Sequence, residues 1–185
     1  MKELLKKYFG YNEFRAQQEE IINSVLEKKD TLVLMPTGGG KSLCYQIPAL
    51  YFEGLTIVIS PLISLMKDQV DALQMNGIKA ESLNSTLSKT ESKEIELRIK
   101  NKELTLLYIA PERLFLKEFR EFISKVKVSL LAIDEAHCIS QWGNDFRPSY
   151  LSISVLREFH PYVPIIALTA TATQEVLADT ITQLK

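Results

Sequence analysis

The sequence predicts an α/β domain built on a mostly parallel sheet with helices on both faces. Two observations carry this. Short apolar runs, almost unbroken by polar residues, recur along the chain: Thr31–Met35, Leu55–Ile59, Leu104–Ile109, Val128–Ile133 and Ile165–Thr169. Between them lie segments with helical periodicity. Strands buried on both faces lose the polar alternation of half-exposed strands, and parallel strands need helical crossovers.

The elements follow in order. Residues Lys2 to Lys29 form a helical lead-in, and the first strand is Thr31–Met35. A glycine-rich stretch precedes a helix over Leu43–Tyr51. Leu62, Leu65, Met66, Val70 and Leu73 share one helical face, and Asn76-Gly77 ends that helix. Ile95 and Ile99 mark another helix, and Val176, Ile181 and Leu184 a last one. No repeat or linker-like tract divides the chain, so residues 1–185 are expected to be one domain.

Composition narrows the function. In 185 residues, 22 Lys and Arg face 23 Asp and Glu, a net charge of −1. That excludes a strongly basic nucleic-acid binder but not a local contact surface. Two cysteines, Cys44 and Cys138, make neither a disulfide framework nor a zinc site. The first residues lack the apolar core of a signal peptide, and the longest apolar candidate, Leu55–Met66, is too short to span a bilayer and contains Pro61. These features lead to the expectation of a cytoplasmic protein without membrane contact.

Chemistry concentrates where strands end. The first strand runs into Pro36-Thr37-Gly38-Gly39-Gly40-Lys41-Ser42 and then a helix. Glycines let a backbone turn tightly and aim N–H groups at a phosphate, and the helix end adds a positive dipole. Lys41 suits the β- and γ-phosphates of ATP, and the Ser42 hydroxyl suits Mg²⁺. The strict phosphate-loop pattern has Gly where Met35 stands, a departure with little bearing on phosphate contact. Leu130-Leu131-Ala132-Ile133 delivers Asp134-Glu135-Ala136-His137 to a strand end. Asp134 suits Mg²⁺, and Glu135 suits the orientation or deprotonation of a water. The spacing from Lys41 leaves room for two intervening strands with their helices. His137 is either a packing histidine or a link from the acidic pair to Thr169-Ala170-Thr171, with Thr173 a candidate cap of the last helix.

Further candidates face a nucleic acid. Ser60 suits a helix N-cap and Pro61 its first turn, an arrangement able to take a phosphate without net positive charge. Asn84, Ser85 and Arg113 also sit near strand ends, where a plain cap or turn is the alternative. Cys138–Pro148 carries Trp142, Phe146 and Arg147, which suit stacking on unpaired bases or, alternatively, anchoring the loop to the core.

Taken together these motifs resemble the first RecA-like motor domain of superfamily 2 helicases, and within them the RecQ family of DNA helicases. The resemblance rests on Phe9-Gly10-Tyr11 with Phe14-Arg15 and Gln18, on Met35 to Ser42, and on Ser60 to Gln69. It continues through Tyr108 to Leu114, Asp134 to Gly143, Asp145 to Pro148 and Thr169 to Ala172. It implies a phosphate-loop NTPase fold and adenine stacking on Tyr11, with Gln18 bonding the base edge and Arg15 supporting the pocket. Core packing of Phe9, Tyr11 and Phe14 is the alternative. The family usually has Pro-Gly where Ala16-Gln17 stands, and a small backbone adjustment is expected there. The resemblance further implies ATP-driven 3′-to-5′ translocation on single-stranded DNA and unwinding of partial duplexes. It implies a second RecA-like domain in the same full-length chain, zinc-binding and winged-helix modules beyond it, and a monomer placed at the nucleoid or in a nucleus. The present chain alone is then expected to bind ATP weakly and not to unwind DNA. An RNA-directed helicase domain and a non-catalytic nucleotide-binding adaptor remain as alternatives.

Overall fold

The computed structural model describes residues 1–15 and 17–184. Among them, six strands form a single sheet: β1 (Thr31–Leu34), β2 (Leu55–Ile59), β3 (Ala80–Leu83), β4 (Leu106–Ile109), β5 (Val128–Ile133) and β6 (Ile165–Thr169). Their order is β1-β6-β5-β2-β4-β3, and all pairs are parallel. The expected fold class is therefore observed, with all strands parallel. No helix is long and apolar enough to cross a membrane among the described residues.

Burial explains which strands were legible. The central strands β2, β4 and β6 are buried throughout, and β5 nearly so. Their side chains alternate between two cores. Ile57 and Ile59 join Leu107, Leu131 and Ile133 on one face, and Val58 joins Tyr108, Leu130 and Ala132 on the other. Helices α2 (Gln18–Leu26), α3 (Leu43–Tyr51) and α4 (Ile63–Met75) cover the second face with Val25, Tyr45, Ala49, Met66 and Val70. The first face is covered by α5 (Lys89–Lys100), α6 (Lys117–Ile123) and α7 (Ser154–Phe159), through Ile95, Ile99, Phe119, Ile123 and Leu156. The lead-in opens with α1 (Lys2–Leu4), which continues as a π-helical turn over Leu5–Phe9. Its Leu5 packs on Ile22 and Ile47.

Two expectations need correction. Strand β3 was not anticipated, because Glu81 and Ser82 interrupt its apolar pattern. It is an edge strand, half-buried at those two residues, so it can carry them. Three strands, not two, therefore lie between Lys41 and β5, the strand that delivers Asp134. The second correction concerns Ser60 and Pro61. The N-cap of α4 is Leu62, and Ser60 does not cap it. The Ser60 N–H is still held in the sheet by the Ile109 carbonyl at 3.1 Å, so two more residues turn the chain before a helix begins. By contrast, Thr173 caps α8 (Gln174–Gln183) as expected, accepting from the Val176 N–H at 3.3 Å.

Candidate functional site

A row of backbone hydrogen bonds runs along the C-terminal edge of the sheet. Met35 N–H donates to Thr169, Asp134 N–H to Ile59, and Ser60 N–H to Ile109, at 2.9–3.1 Å. The ladder thus holds the phosphate loop, the acidic pair, the Thr169 segment and the Ser60 turn at one edge. Open α/β sheets place ligands there.

The glycine loop is shaped by its own sterics. Gly38 and Gly40 have φ of +78° and +83°, a region costly for other residues. A Cβ on Gly39 would lie 2.6 Å from Met35 Cγ, and one on Gly40 2.4 Å from Gln18 Nε2. Met35, in place of the usual glycine, packs its side chain under the loop and is buried. Lys41 Nζ donates to the Met35 carbonyl at 3.1 Å. A cleft of about 460 Å³ opens beside this loop, lined by Tyr11, Arg15, Gln18, Gly38, Gly40, Lys41 and Ser42. Glu13 and Leu43 line it too, which motif reading missed. Thr37 is exposed at the turn, and Gly39 faces Met35, so neither lines the cleft. A larger cavity, about 540 Å³, lies at the opposite end of the sheet among Leu55, Leu104 and Phe122, and none of the candidate residues touches it.

The aromatic trio of the lead-in divides. Phe9 and Phe14 pack against the core, whereas Tyr11 is 53% exposed at the cleft mouth. Gln18 is buried, and its amide donates to the Gly40 carbonyl at 3.1 Å and to Gly39 at 3.4 Å, while its oxygen accepts from Arg15 N–H at 2.8 Å. The Arg15 guanidinium donates to Gly38 at 2.8 Å. In this structure both side chains therefore clasp the phosphate loop. Ala16 lies outside the described residues, and Gln17 takes the left-handed conformation with φ of 71°.

Asp134 follows β5 directly, and its Oδ1 accepts the Glu135 N–H at 3.0 Å. Burial, then the neighbouring Glu135 charge, raises the Asp134 pKa to about 6, against the lowering effects of the Glu135 N–H and Lys41. Glu135 itself has φ of 48°, a strained conformation for a non-glycine residue. His137 Nδ1 lies 2.8 Å from Thr169 Oγ1, whose hydroxyl donates to the Thr171 carbonyl at 3.1 Å. That hydroxyl has one proton, so the histidine carries its own on Nδ1 and donates. The same nitrogen is 3.4 Å from Glu135 Oε2, and Nε2 faces Asp145 at 3.7 Å. His137 thus joins the acidic pair to Thr169, and Thr171 enters through its backbone carbonyl.

The remaining candidates separate into two groups. Trp142 is 75% exposed, so it does not anchor the loop in the core; Phe146 and Arg147 are half-buried. Arg147 donates to the Pro61 carbonyl at 3.3 Å, bringing the loop beside the Ser60 turn. Ser60 Oγ is buried without a partner among the described residues. Asn84 is a turn residue: its Oδ1 accepts from Thr86 N–H at 2.9 Å and from the Thr86 hydroxyl, with Ser85 exposed between them. Arg113 stacks 5.5 Å over Phe119 and faces Glu96 at 3.9 Å, a packing role that is neither the nucleic-acid contact nor the plain cap or turn expected from the sequence.

The donor set fits a nucleoside triphosphate and its cation. The loop is a cradle that a Cβ would fill, with a lysine amine inside it and a hydroxyl and a carboxylate at the same sheet edge.

Comparison with known proteins agrees with this geometry. A family model described as DEAD/DEAH box helicase matches residues 15–180. The chain is 54% identical over 182 residues to the ATP-dependent DNA helicase RecQ of Pasteurella multocida, covering 98% of this chain and 29% of that protein. It is 58% identical over 183 residues to the ATP-dependent DNA helicase RecQ of Bacillus subtilis, covering 98% and 31%. The chain thus spans less than a third of the length of these relatives. The helicase domain of Pyrococcus furiosus Hef shares the fold, with a TM-score of 0.72 at 24% identity over 92% of this chain and 36% of that one. On the strength of this match and of the phosphate loop and acidic edge it covers, the chain belongs to the DEAD/DEAH box helicase family, with RecQ helicases among its relatives.

Proposed function

We propose that this chain is the ATP-binding motor domain of a RecQ-type DNA helicase, hydrolysing ATP with Mg²⁺ to drive 3′-to-5′ translocation on single-stranded DNA. One observation carries the reading furthest: the ladder sets the phosphate loop and the Asp134–Glu135 pair on one sheet edge, and Arg147 ties the exposed-tryptophan loop to the Ser60 turn beside them. The adaptor alternative has no need of that juxtaposition.

Each residue has a task in the proposed chemistry. Tyr11 stacks on the base at the cleft mouth. The loop N–H groups and Lys41 hold the phosphates, and Lys41 must leave the Met35 carbonyl to do so. Ser42 and Asp134 would hold Mg²⁺, which would supply charge neutralisation on the phosphate oxygens. Glu135 orients the water and accepts its proton, and its closeness to His137 keeps that carboxylate turned toward the Thr169 edge. A second RecA-like domain of the full-length protein completes the site with an arginine, worth about 10³–10⁵ in rate in related systems. The relatives' greater length is consistent with such a domain. Trp142, Phe146 and Arg147 contact single-stranded DNA beside Ser60 and Pro61.

The test compares ATP hydrolysis by the full-length protein with single-stranded DNA, with RNA and without nucleic acid. Stimulation by DNA above RNA is expected. Stimulation by RNA alone would favour an RNA-directed helicase, and ATP binding without any hydrolysis would favour the adaptor.

A further inference from the structure

The loop bearing Trp142 is fastened to an element that the functional motifs do not include. Ser140 is fully buried, and its hydroxyl donates to Asp179 Oδ2 on α8 at 2.7 Å. The same oxygen accepts the Trp142 backbone N–H at 3.2 Å. Both roles of one hydroxyl are therefore used, which fixes its orientation. Gly143 N–H returns to the Ser140 carbonyl at 3.2 Å, so the backbone on either side of the exposed indole is held. Asp179 is itself well seated. Its neighbour Thr180 and the preceding turn's Val176 are buried, and its other oxygen accepts from Gln183 at 3.3 Å.

Helix α8 also reaches the nucleotide edge. It begins at the Thr173 cap, four residues beyond Thr169, whose hydroxyl meets His137. Beside the turn from His137 to Ser140 and the contacts of Asp145 and Arg147, the Trp142 loop therefore has a further link to the acidic pair through Asp179, α8 and Thr169. Of these ties, the Asp179 bond is the side-chain anchor that acts next to Trp142 itself, through the hydroxyl that also holds the Trp142 N–H.

We propose that Asp179 is a positioning residue which, through the Ser140 hydroxyl, sets the Trp142 loop relative to the Thr169–His137 edge and so transmits nucleic-acid contact to ATP hydrolysis. This rests on the reading of the chain as a DNA-driven motor. The bond is charge-assisted and partly buried, with Ser140 fully enclosed and Asp179 half-buried, which makes it one of the stronger single anchors available to a loop.

Trp142 is the one tryptophan in the sequence, so its emission reports on this loop alone. Steady-state tryptophan anisotropy of this chain is measured for the wild type, Asp179→Ala, Asp179→Asn and Ser140→Ala, with thermal melting beside it. DNA-stimulated kcat, basal ATPase and KM for ATP are measured in the full-length protein. Asp179→Ala and Ser140→Ala are expected to lower the anisotropy and to cut DNA-stimulated kcat about tenfold, the scale of losing one charge-assisted hydrogen bond, with basal rate and KM unchanged. Asp179→Asn keeps one acceptor without the charge and is expected to fall between the wild type and Asp179→Ala. The double variant should be no worse than either single one. Unchanged anisotropy in Asp179→Ala, or a loss of basal and stimulated rates in proportion, would overturn the proposal. Absence of DNA stimulation in the wild type would instead defeat the motor reading, while the anisotropy still decides whether Asp179 holds the loop.

Discussion

The side-chain amide of Gln18 donates to the carbonyl of Gly40 at 3.1 Å, tying the lead-in helix to the phosphate loop across 22 residues. The resemblance to RecQ helicases implied that this amide reads adenine; here it clasps the loop. If the clasp dominates, Gln18→Ala should weaken ATP and the triphosphate of any other base alike, by about tenfold, the scale of one lost hydrogen bond. Isothermal titration with ATP and GTP separates the roles. A loss confined to ATP would assign Gln18 to the base.

Gln17 takes a left-handed conformation, φ 71°, at a place where the resembling family usually carries glycine. A side chain there costs about 1 kcal/mol. Gln17→Gly should therefore raise stability by up to about 1 kcal/mol, less what the freer unfolded chain takes back. Urea denaturation reads the change, and a clear destabilisation would mean the Gln17 side chain makes compensating contacts.

Lys41 donates to one loop carbonyl and is half-buried. Lys41→Ala should therefore leave the melting temperature without nucleotide within a few degrees of the wild type, since changes away from packed features stay within about 0.5 kcal/mol. Nucleotide-induced stabilisation should vanish. Retained stabilisation by ATP would remove Lys41 from the phosphate site.

Asp134 gives the chain a pH signature. Its folded pKa, about 6, lies above the ordinary 3.8, mainly through burial. The folded state thus keeps a proton that the unfolded state releases, and stability falls as pH rises from about 4 to about 6, then levels off. Asp134→Asn removes this slope and should stabilise the nucleotide-free chain by up to about 3 kcal/mol at neutral pH. Urea melts between pH 4 and 8 test this; an Asp134→Asn chain with the wild-type slope would refute it.

Trp142, at 75% exposure, contributes little to packing. Trp142→Ala should change stability by under about 0.5 kcal/mol. In the full-length protein it should abolish most DNA stimulation of ATP hydrolysis while sparing the basal rate. A variant that unfolds, or that retains full stimulation, contradicts this.

The features legible in the residues alone were local. Buried strands show as apolar runs, so β2, β5 and β6 were placed with their observed ends, and the strand–glycine loop–helix pattern identified Lys41 and Ser42 because that chemistry lies within one contiguous stretch. The acidic pair was legible for the same reason. Edge strand β3 was not, since a half-solvated strand can hold Glu81 and Ser82 without loss. The tertiary structure alone decided the strand order and everything that depends on separate segments meeting. It put β6 between β1 and β5, which brings Thr169 to His137, turned Arg113 onto Phe119, and joined Asp179 to Ser140. The physical reason is that periodicity records which face a residue buries, whereas partners remote in sequence are chosen by how helices and strands pack, and that choice leaves no periodic trace in either segment.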